Sequence, residues 1–509
     1  MTPFDRPMKS FLLRDKGAYV VLLLLALLCN ALMCNMSPFK ESLFCPDINC
    51  YYMEGKCVAM GLLPYVDFID TKGPLLFLLY AAGYMISPDH TWGVYLLASL
   101  ASFASFFWLY RIARFFLPVG APCLLAVGVT SIFLFWEPIQ GYGARPENFI
   151  LPFLAWMLYA LVGFFVRSDK VAALDMAGWA IGTGCGAVLL IKYNYVCFPL
   201  FCAGLLGLLS LYSRLGKEYL SHFVTRSLLS VVLVLVPFAL YFSLTQTWGP
   251  FVDIYFVTAA QCSKLLSGHG MMYDLWYLYY QWRDLPCVLI VYVASVLSCL
   301  AIGNRAVGFC GKVFSLSLFL VFSVLLFCVY TGLYPYYGLV IMPCSVFPAV
   351  VLAHTIRKHS TISAFLFVIS IVLCIVLNYV EPTRRHRMRI EAESRLSQSY
   401  KEIESIIASK QNPKILYLGC LSLGFGIKAG ALPACPYWFH LNHCSSDLVI
   451  LGQKAVSDRK ADFVITPSMK REQDKSGRLL LLESSGYTFR KSFLDEYSAV
   501  TGFELWSKT

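Results

Sequence analysis

The sequence predicts an all-α membrane protein of about eleven transmembrane helices, with interfacial helices in its first outer loop and a small extracytoplasmic α/β domain at the end. Three observations predict it. Of 509 residues 58% are hydrophobic and only 14% charged, where a soluble globular chain carries about 25% charged residues. Apolar runs recur that approach the roughly 20 residues a helix needs to cross about 30 Å of hydrocarbon, and a helix satisfies its own backbone polar groups there. After position 380 the composition turns abruptly charged.

The spans are expected at 17–36, 91–110, 119–136, 149–166, 174–191, 195–212, 228–247, 286–302, 313–331, 337–354 and 362–379. Lys9, Arg14 and Lys16 before the first run resemble the start of a signal peptide. That run is too long for one and no small-residue cleavage site follows, so it is read as an uncleaved first span. The stretch 73–86 is too short to cross and fits an interfacial or re-entrant helix.

Charge parity supports that reading. With 73–86 left at the surface, the N-terminal tail, Arg111/Arg114, Arg167/Lys170, Arg214/Lys217/Arg226, Arg305/Lys312 and Arg357/Lys358 all fall on one side. The positive-inside rule makes that side cytoplasmic. The N-terminus is then cytoplasmic, and the C-terminal segment lies outside. The same clustering explains the net charge of +11 without nucleic acid, because the cations lie between apolar runs rather than on one basic face.

The unusual residues gather on the outer side. The first outer loop holds Asp47, Glu54, Asp67, Asp70 and Lys72 around the string GLLPYVDFIDTKGP, and a second outer turn reads EPIQGYGARPENF, with Arg145 and Glu147 just before the next span. Carboxylates poised where a helix meets the membrane surface are costly to desolvate and usually have a partner or a task.

This pattern resembles the GT-C superfamily of polytopic glycosyltransferases that use polyprenyl-phosphate-linked sugars, in particular the bacterial branch related to protein mannosyltransferases and aminoarabinose transferases. In that family an acid follows the first span, and a string like G-x-x-PY-x-D-x-x-x-x-KGP precedes an interfacial helix. Asp47 fills the first role, and Gly61, Pro64, Tyr65, Asp67, Lys72, Gly73 and Pro74 fill the second. Glu147 matches the second acidic site, where many relatives carry Asp. The resemblance covers roughly the first 200 residues; later spans match in layout only.

The resemblance implies transfer of a sugar from a polyprenyl phosphate to a glycan, lipid or protein acceptor, in a bacterial cytoplasmic (inner) membrane. A base must take the acceptor's proton while positive character develops at the anomeric carbon. Asp47 is expected as that base, with Glu147 orienting the acceptor or sharing a divalent cation, Mg or Mn, with Asp47. The leaving phosphate needs cationic donors, for which Lys72, Arg145 and Lys192 are the candidates; a snorkelling Lys192 is the alternative. Tyr65, Asp67 and Asp70 are expected to support the loop. The outer segment 248–284, carrying His269, is expected to close over the lipid donor, although its aromatics also suit a membrane-interface belt.

The sequence is thus divided into a transmembrane catalytic region, 1–380, and an extracytoplasmic domain, 381–509. Within the latter, KILYLG and ADFVITP read as strands separated by Gly and Pro punctuation and a helical patch, and GFGIKAG lacks the spacing of a phosphate loop. Outer cysteines Cys45, Cys50, Cys57, Cys420, Cys435 and Cys444 permit disulfides on an oxidising side, and no spacing reads as zinc. Two alternatives remain at this level: a polysaccharide polymerase or ligase, and a lipid-linked sugar flippase or transporter. The second would place ionisable groups near the midplane and show internal repeats; neither is evident.

Overall fold

A computed structural model describes residues 15–40, 45–88, 90–140, 143–213, 216–261, 286–306, 311–330, 335–379, 400–439, 446–468, 474, 477–493 and 502–508. Every expected span is helical. Among the described residues nine helices are long and apolar enough to cross a membrane, and the other two expected spans form the shorter helices Ala121–Leu134 and Ser360–Val376. The stretch judged too short to cross is the 13-residue helix Pro74–Ile86. Proline opens several helices at their first or second position, as in Pro46–Ala59, Pro74–Ile86 and Pro146–Val166. Its missing N–H costs nothing there, because the first-turn donors have no intrahelical acceptor.

The chain divides into two compact units. The first comprises Met1–Phe39, Tyr95–Leu240 and Met271–Val380; the second comprises Lys40–Val94, Tyr241–Gly270 and Glu381–Thr509.

In the first unit, Pro146–Val166 and the segment Tyr336–Thr355 are the most enclosed, whereas Lys217–Leu244 is the least. The latter exposes Leu228, Leu233 and Leu240, the surface that hydrocarbon would cover. Its opposite side meets Lys170–Ile191 through Gly178, Gly182 and Gly186. A Cβ at Gly182 would lie 2.0 Å from Ser230 Oγ and 2.2 Å from Ser227 O. Small residues four apart let two membrane helices approach this closely, and Arg226 Nε pairs with Asp175 Oδ1 at 2.9 Å beside them.

The second unit contains a five-stranded sheet. Strands β1 (Lys414–Tyr417), β2 (Leu432–Pro433), β3 (Phe463–Pro467), β4 (Tyr487–Phe493) and β5 (Phe503–Lys508) lie in the order β2-β1-β3-β5-β4. β1 runs parallel to β2 and β3, while β5 is antiparallel to both β3 and β4. Leu416, Val456, Val464, Leu482 and Trp506 form its core. The two apolar runs foreseen as strands are β1 and β3, the centre of the sheet. GFGIKAG is a structural loop: Gly424, Gly426 and Gly430 all have positive φ, and the buried Glu404 carboxylate accepts from the backbone N–H of Gly426 and of Ala429, each at 2.7 Å.

This sheet domain is tied to the first loop. Lys56, buried in the helix Pro46–Ala59, donates to the Ala431 carbonyl at 2.9 Å, and Ile69 N–H donates to Pro436 O at 2.9 Å. The helix Pro46–Ala59, through the Lys56 side chain, and the following loop, through the Ile69 backbone, are therefore each hydrogen-bonded to the C-terminal segment.

Candidate functional site

Each unit carries one polar cluster built largely from the residues singled out above. In the first unit a left-handed turn at Gly143 and Ala144 (φ 71° and 54°) leads into Pro146–Val166. Arg145 caps that helix: its N–H donates to Asn148 Oδ1 at 3.0 Å, and Asn148 Nδ2 donates to Gln140 Oε1 at 3.0 Å. Glu147 is thereby presented in the first turn, with no solvent exposure. Its Oε1 accepts from Lys192 Nζ at 2.6 Å and from Tyr195 Oη at 3.0 Å. Its Oε2 is buried and has no hydrogen-bond partner among the described residues.

Lys192 sits between the end of helix Lys170–Ile191 and the short turn Tyr193–Tyr195. It is buried and paired with Glu147, so the snorkelling alternative does not describe it. Two tyrosines that sequence reasoning passed over complete the cluster. The Arg145 guanidinium lies 3.7 Å from the Tyr336 ring centroid, and Lys192 Nζ lies 3.9 Å from that of Tyr337. The cluster thus gathers an arginine and a lysine side chain beside one carboxylate, the side-chain types that recognise a phosphate.

In the second unit Asp47 lies in the first turn of Pro46–Ala59, and Glu54 follows two turns later on the same face. Lys72 Nζ is 3.5 Å from Asp70 Oδ1 and 5.7 Å from the Tyr51 ring centroid. Tyr65, held at φ 67°, donates its hydroxyl to Lys72 O at 2.7 Å. Asp67 turns away from this group; its Oδ2 accepts from Leu63 N–H at 2.7 Å and closes the PY turn. Glu54 is fully buried. Burial above all, then the neighbouring Asp70 carboxylate, push its carboxyl well above the usual carboxylate range, against the pull of Lys72. Glu54 was legible as one of the loop acids but not as a member of the cluster. Its seven-residue spacing from Asp47 was the available signal.

The loop expected as a lid begins with the helix Trp248–Val252 and a π-helical turn Asp253–Thr258. The rings of Phe251 and Tyr255 pack against Tyr65, with centroids 5.5 and 6.4 Å away. His269 lies outside the described residues. No group of three or more His, Cys, Asp or Glu side chains gathers as a metal site among the described residues. Glu147 has one oxygen already engaged by Lys192 and Tyr195.

No family model and no curated protein sequence matches the chain. Solved structures do. ArnT from Cupriavidus metallidurans bound to undecaprenyl phosphate aligns with a TM-score of 0.53 at 11% identity, over 98% of this chain and 98% of that one. The apo state of the same protein gives 0.51 at 12% identity, over 97% and 98%. Arabinofuranosyltransferase AftD from Mycobacteria gives 0.50 at 12% identity, over 97% of this chain and 41% of that one. At these identities the likeness concerns the fold: the chain is an integral membrane protein with the GT-C fold, helical bundle and C-terminal domain together.

Proposed function

We propose that this protein is a membrane glycosyltransferase that moves a sugar from a polyprenyl-phosphate donor to a glycan, lipid or protein acceptor at the outer face of a bacterial inner membrane. The observation that carries the reading is the Glu147 cluster, a buried carboxylate flanked by Arg145 and Lys192 with one oxygen unpartnered. ArnT, whose fold this chain shares, was solved with undecaprenyl phosphate bound, a ligand whose phosphate is of the kind that arginine and lysine side chains recognise.

In the proposed step Asp47 takes the proton from the acceptor hydroxyl or amine. The acceptor atom bonds to the anomeric carbon as the bond from that carbon to the phosphate oxygen breaks. Both electrons of the broken bond stay with the polyprenyl phosphate, whose added negative charge Arg145, Lys192 and Lys72 stabilise. Glu147 orients the acceptor through its free oxygen and holds Lys192 in place. Residues 1–380 form the catalytic region, and 381–509 an extracytoplasmic domain that braces the helix Pro46–Ala59 through Lys56 and the 64–72 loop through Ile69. The N-terminus is cytoplasmic.

Purified protein given a radiolabelled polyprenyl-phosphate sugar and membrane acceptors is expected to transfer label. Asp47→Asn should lower the rate about 100- to 10,000-fold, as loss of a general base does, with expression unchanged. Full activity in that variant removes Asp47 from the mechanism. Reporter fusions should put the C-terminus outside; a cytoplasmic C-terminus overturns the orientation.

A further inference from the structure

We infer that Cys197 and Cys328 form a dithiol modification site, converted to a disulfide by an exchange oxidant, that ties together the two chain segments holding the Glu147 cluster. Their Sγ atoms are 3.3 Å apart. Cys197 is the first residue of the helix Cys197–Tyr212, and Cys328 lies in the last turn of the helix Gly311–Tyr330. Both thiols therefore sit at helix ends rather than in the middle of the hydrocarbon. Cys197 is partly exposed, which gives an oxidant access to one sulfur while the other waits beside it. A disulfide needs its sulfurs about 2.0 Å apart, and rotation of the two side chains supplies the remaining approach.

The position of the pair is what gives the bond a consequence. Cys197 follows Tyr195 by two residues and Lys192 by five, and both of those side chains contact Glu147. The helix ending just after Cys328 leads on to Tyr336 and Tyr337. The Tyr337 ring lies 6.2 Å from Tyr195, centroid to centroid, and 3.9 Å from Lys192 Nζ. A bond between the two sulfurs fixes the spacing of the lysine-bearing segment against the tyrosine-bearing one. It closes a loop across 131 positions, which restricts the unfolded chain and raises resistance to unfolding.

The exchange balances with a disulfide as the oxidant, either a small molecule or a protein on the side to which these helix ends open. The Cys197 thiolate attacks one sulfur of the oxidant and expels a thiolate, which takes up the proton lost by Cys197. The Cys328 thiolate then attacks Cys197 Sγ in the mixed disulfide and expels the second thiolate, which is protonated in turn. Two protein thiols are oxidised and one oxidant disulfide is reduced to two thiols. The inference rests on the outward orientation of these helix ends in the proposed function. It does not rest on transferase activity.

The test uses the full-length protein in its native membranes. Free thiols are blocked with N-ethylmaleimide under acid quench, the protein is digested, and peptides are identified by mass spectrometry with and without prior exposure to oxidised glutathione. The expected result is a linked peptide pair joining Cys197 to Cys328, lighter by two hydrogens than its parts. It should be lost on reduction and missing in Cys197→Ser and in Cys328→Ser. Unoxidised wild type with both cysteines alkylated, and still unlinked after oxidised glutathione, overturns the proposal. So does a linkage of either cysteine to a different partner. Because the readout is mass, a protein that transfers no sugar still returns an interpretable answer, and an unlinked protein that transfers sugar refutes only this site.

Discussion

Replacing Lys192 with methionine keeps most of the side-chain volume and removes the charge that faces Glu147. The pair is 2.6 Å apart, with side-chain exposures of 9% and 0%. At that separation two unit charges attract by about 6 kcal/mol if the effective dielectric constant is about 20, and much of this offsets the desolvation of both groups. Removing Lys192 leaves the Glu147 charge buried with the Tyr195 hydroxyl bond and the nearby Arg145, but without its ion-pair partner. Such losses run to about 3–5 kcal/mol, whereas replacing both members with neutral groups is often close to neutral. At about 2 °C per kcal/mol for a large domain, Lys192→Met should lower the melting temperature by roughly 6–10 °C. Melting is followed by intrinsic tryptophan fluorescence in detergent. Adding Glu147→Gln to the same chain should recover most of the loss, because the amide still accepts from Tyr195. If the proposed function holds, that stable double variant transfers no sugar. A drop of less than about 2 °C, or a double variant no more stable than the single one, would refute the claim that this is a buried pair of full charges.

Glu54→Gln tests the second cluster through pH. With its carboxyl held well above the usual range, the folded protein keeps a proton that the unfolded chain has already released, so stability falls as pH rises from the ordinary carboxylate value through the raised one. The variant has no such proton, and its melting temperature should decline less over that window; parallel pH profiles would contradict the assignment. Gly182→Val should separate two membrane helices, since its Cβ meets Ser227 O and Ser230 Oγ at 2.2 and 2.0 Å, at a cost of at least about 1–3 kcal/mol. Gly204→Ala, which has nothing within 4 Å, serves as the control and should melt no lower than wild type. Lys56→Met leaves the Ala431 carbonyl without its lysine donor. This should cost about 1–3 kcal/mol, seen as roughly 5- to 150-fold faster amide hydrogen exchange in the 424–433 loop. Unchanged exchange would mean that the lysine does not brace the domain.

Much of the fold was legible because lipid imposes a coarse code. Each helix must be apolar over a minimum length whatever it packs against, so all eleven runs and the short Pro74–Ile86 helix could be located without knowing any contact. In the C-terminal domain the central strands β1 and β3 were visible, because Lys414–Tyr417 and Phe463–Pro467 are almost entirely buried. β4 and β5 were not: Tyr487–Phe493 and Phe503–Lys508 mix charged and apolar residues, so neither reads as an apolar run.

The sequence alone determined the membrane class, the positions of the spans and the residue types held in reserve at their ends, since these follow from hydropathy and charge one segment at a time. Glu147 and Lys192 were both identifiable as candidates, yet their pairing joins positions 45 residues apart. Only the packed helices decided that this lysine meets a carboxylate instead of headgroups, that Tyr195, Tyr336 and Tyr337 surround it, and that Glu54 adjoins Asp70. The reason is physical: desolvation and charge pairing depend on what lies within a few ångströms, and that is set by which helices pack together, a property no single segment carries.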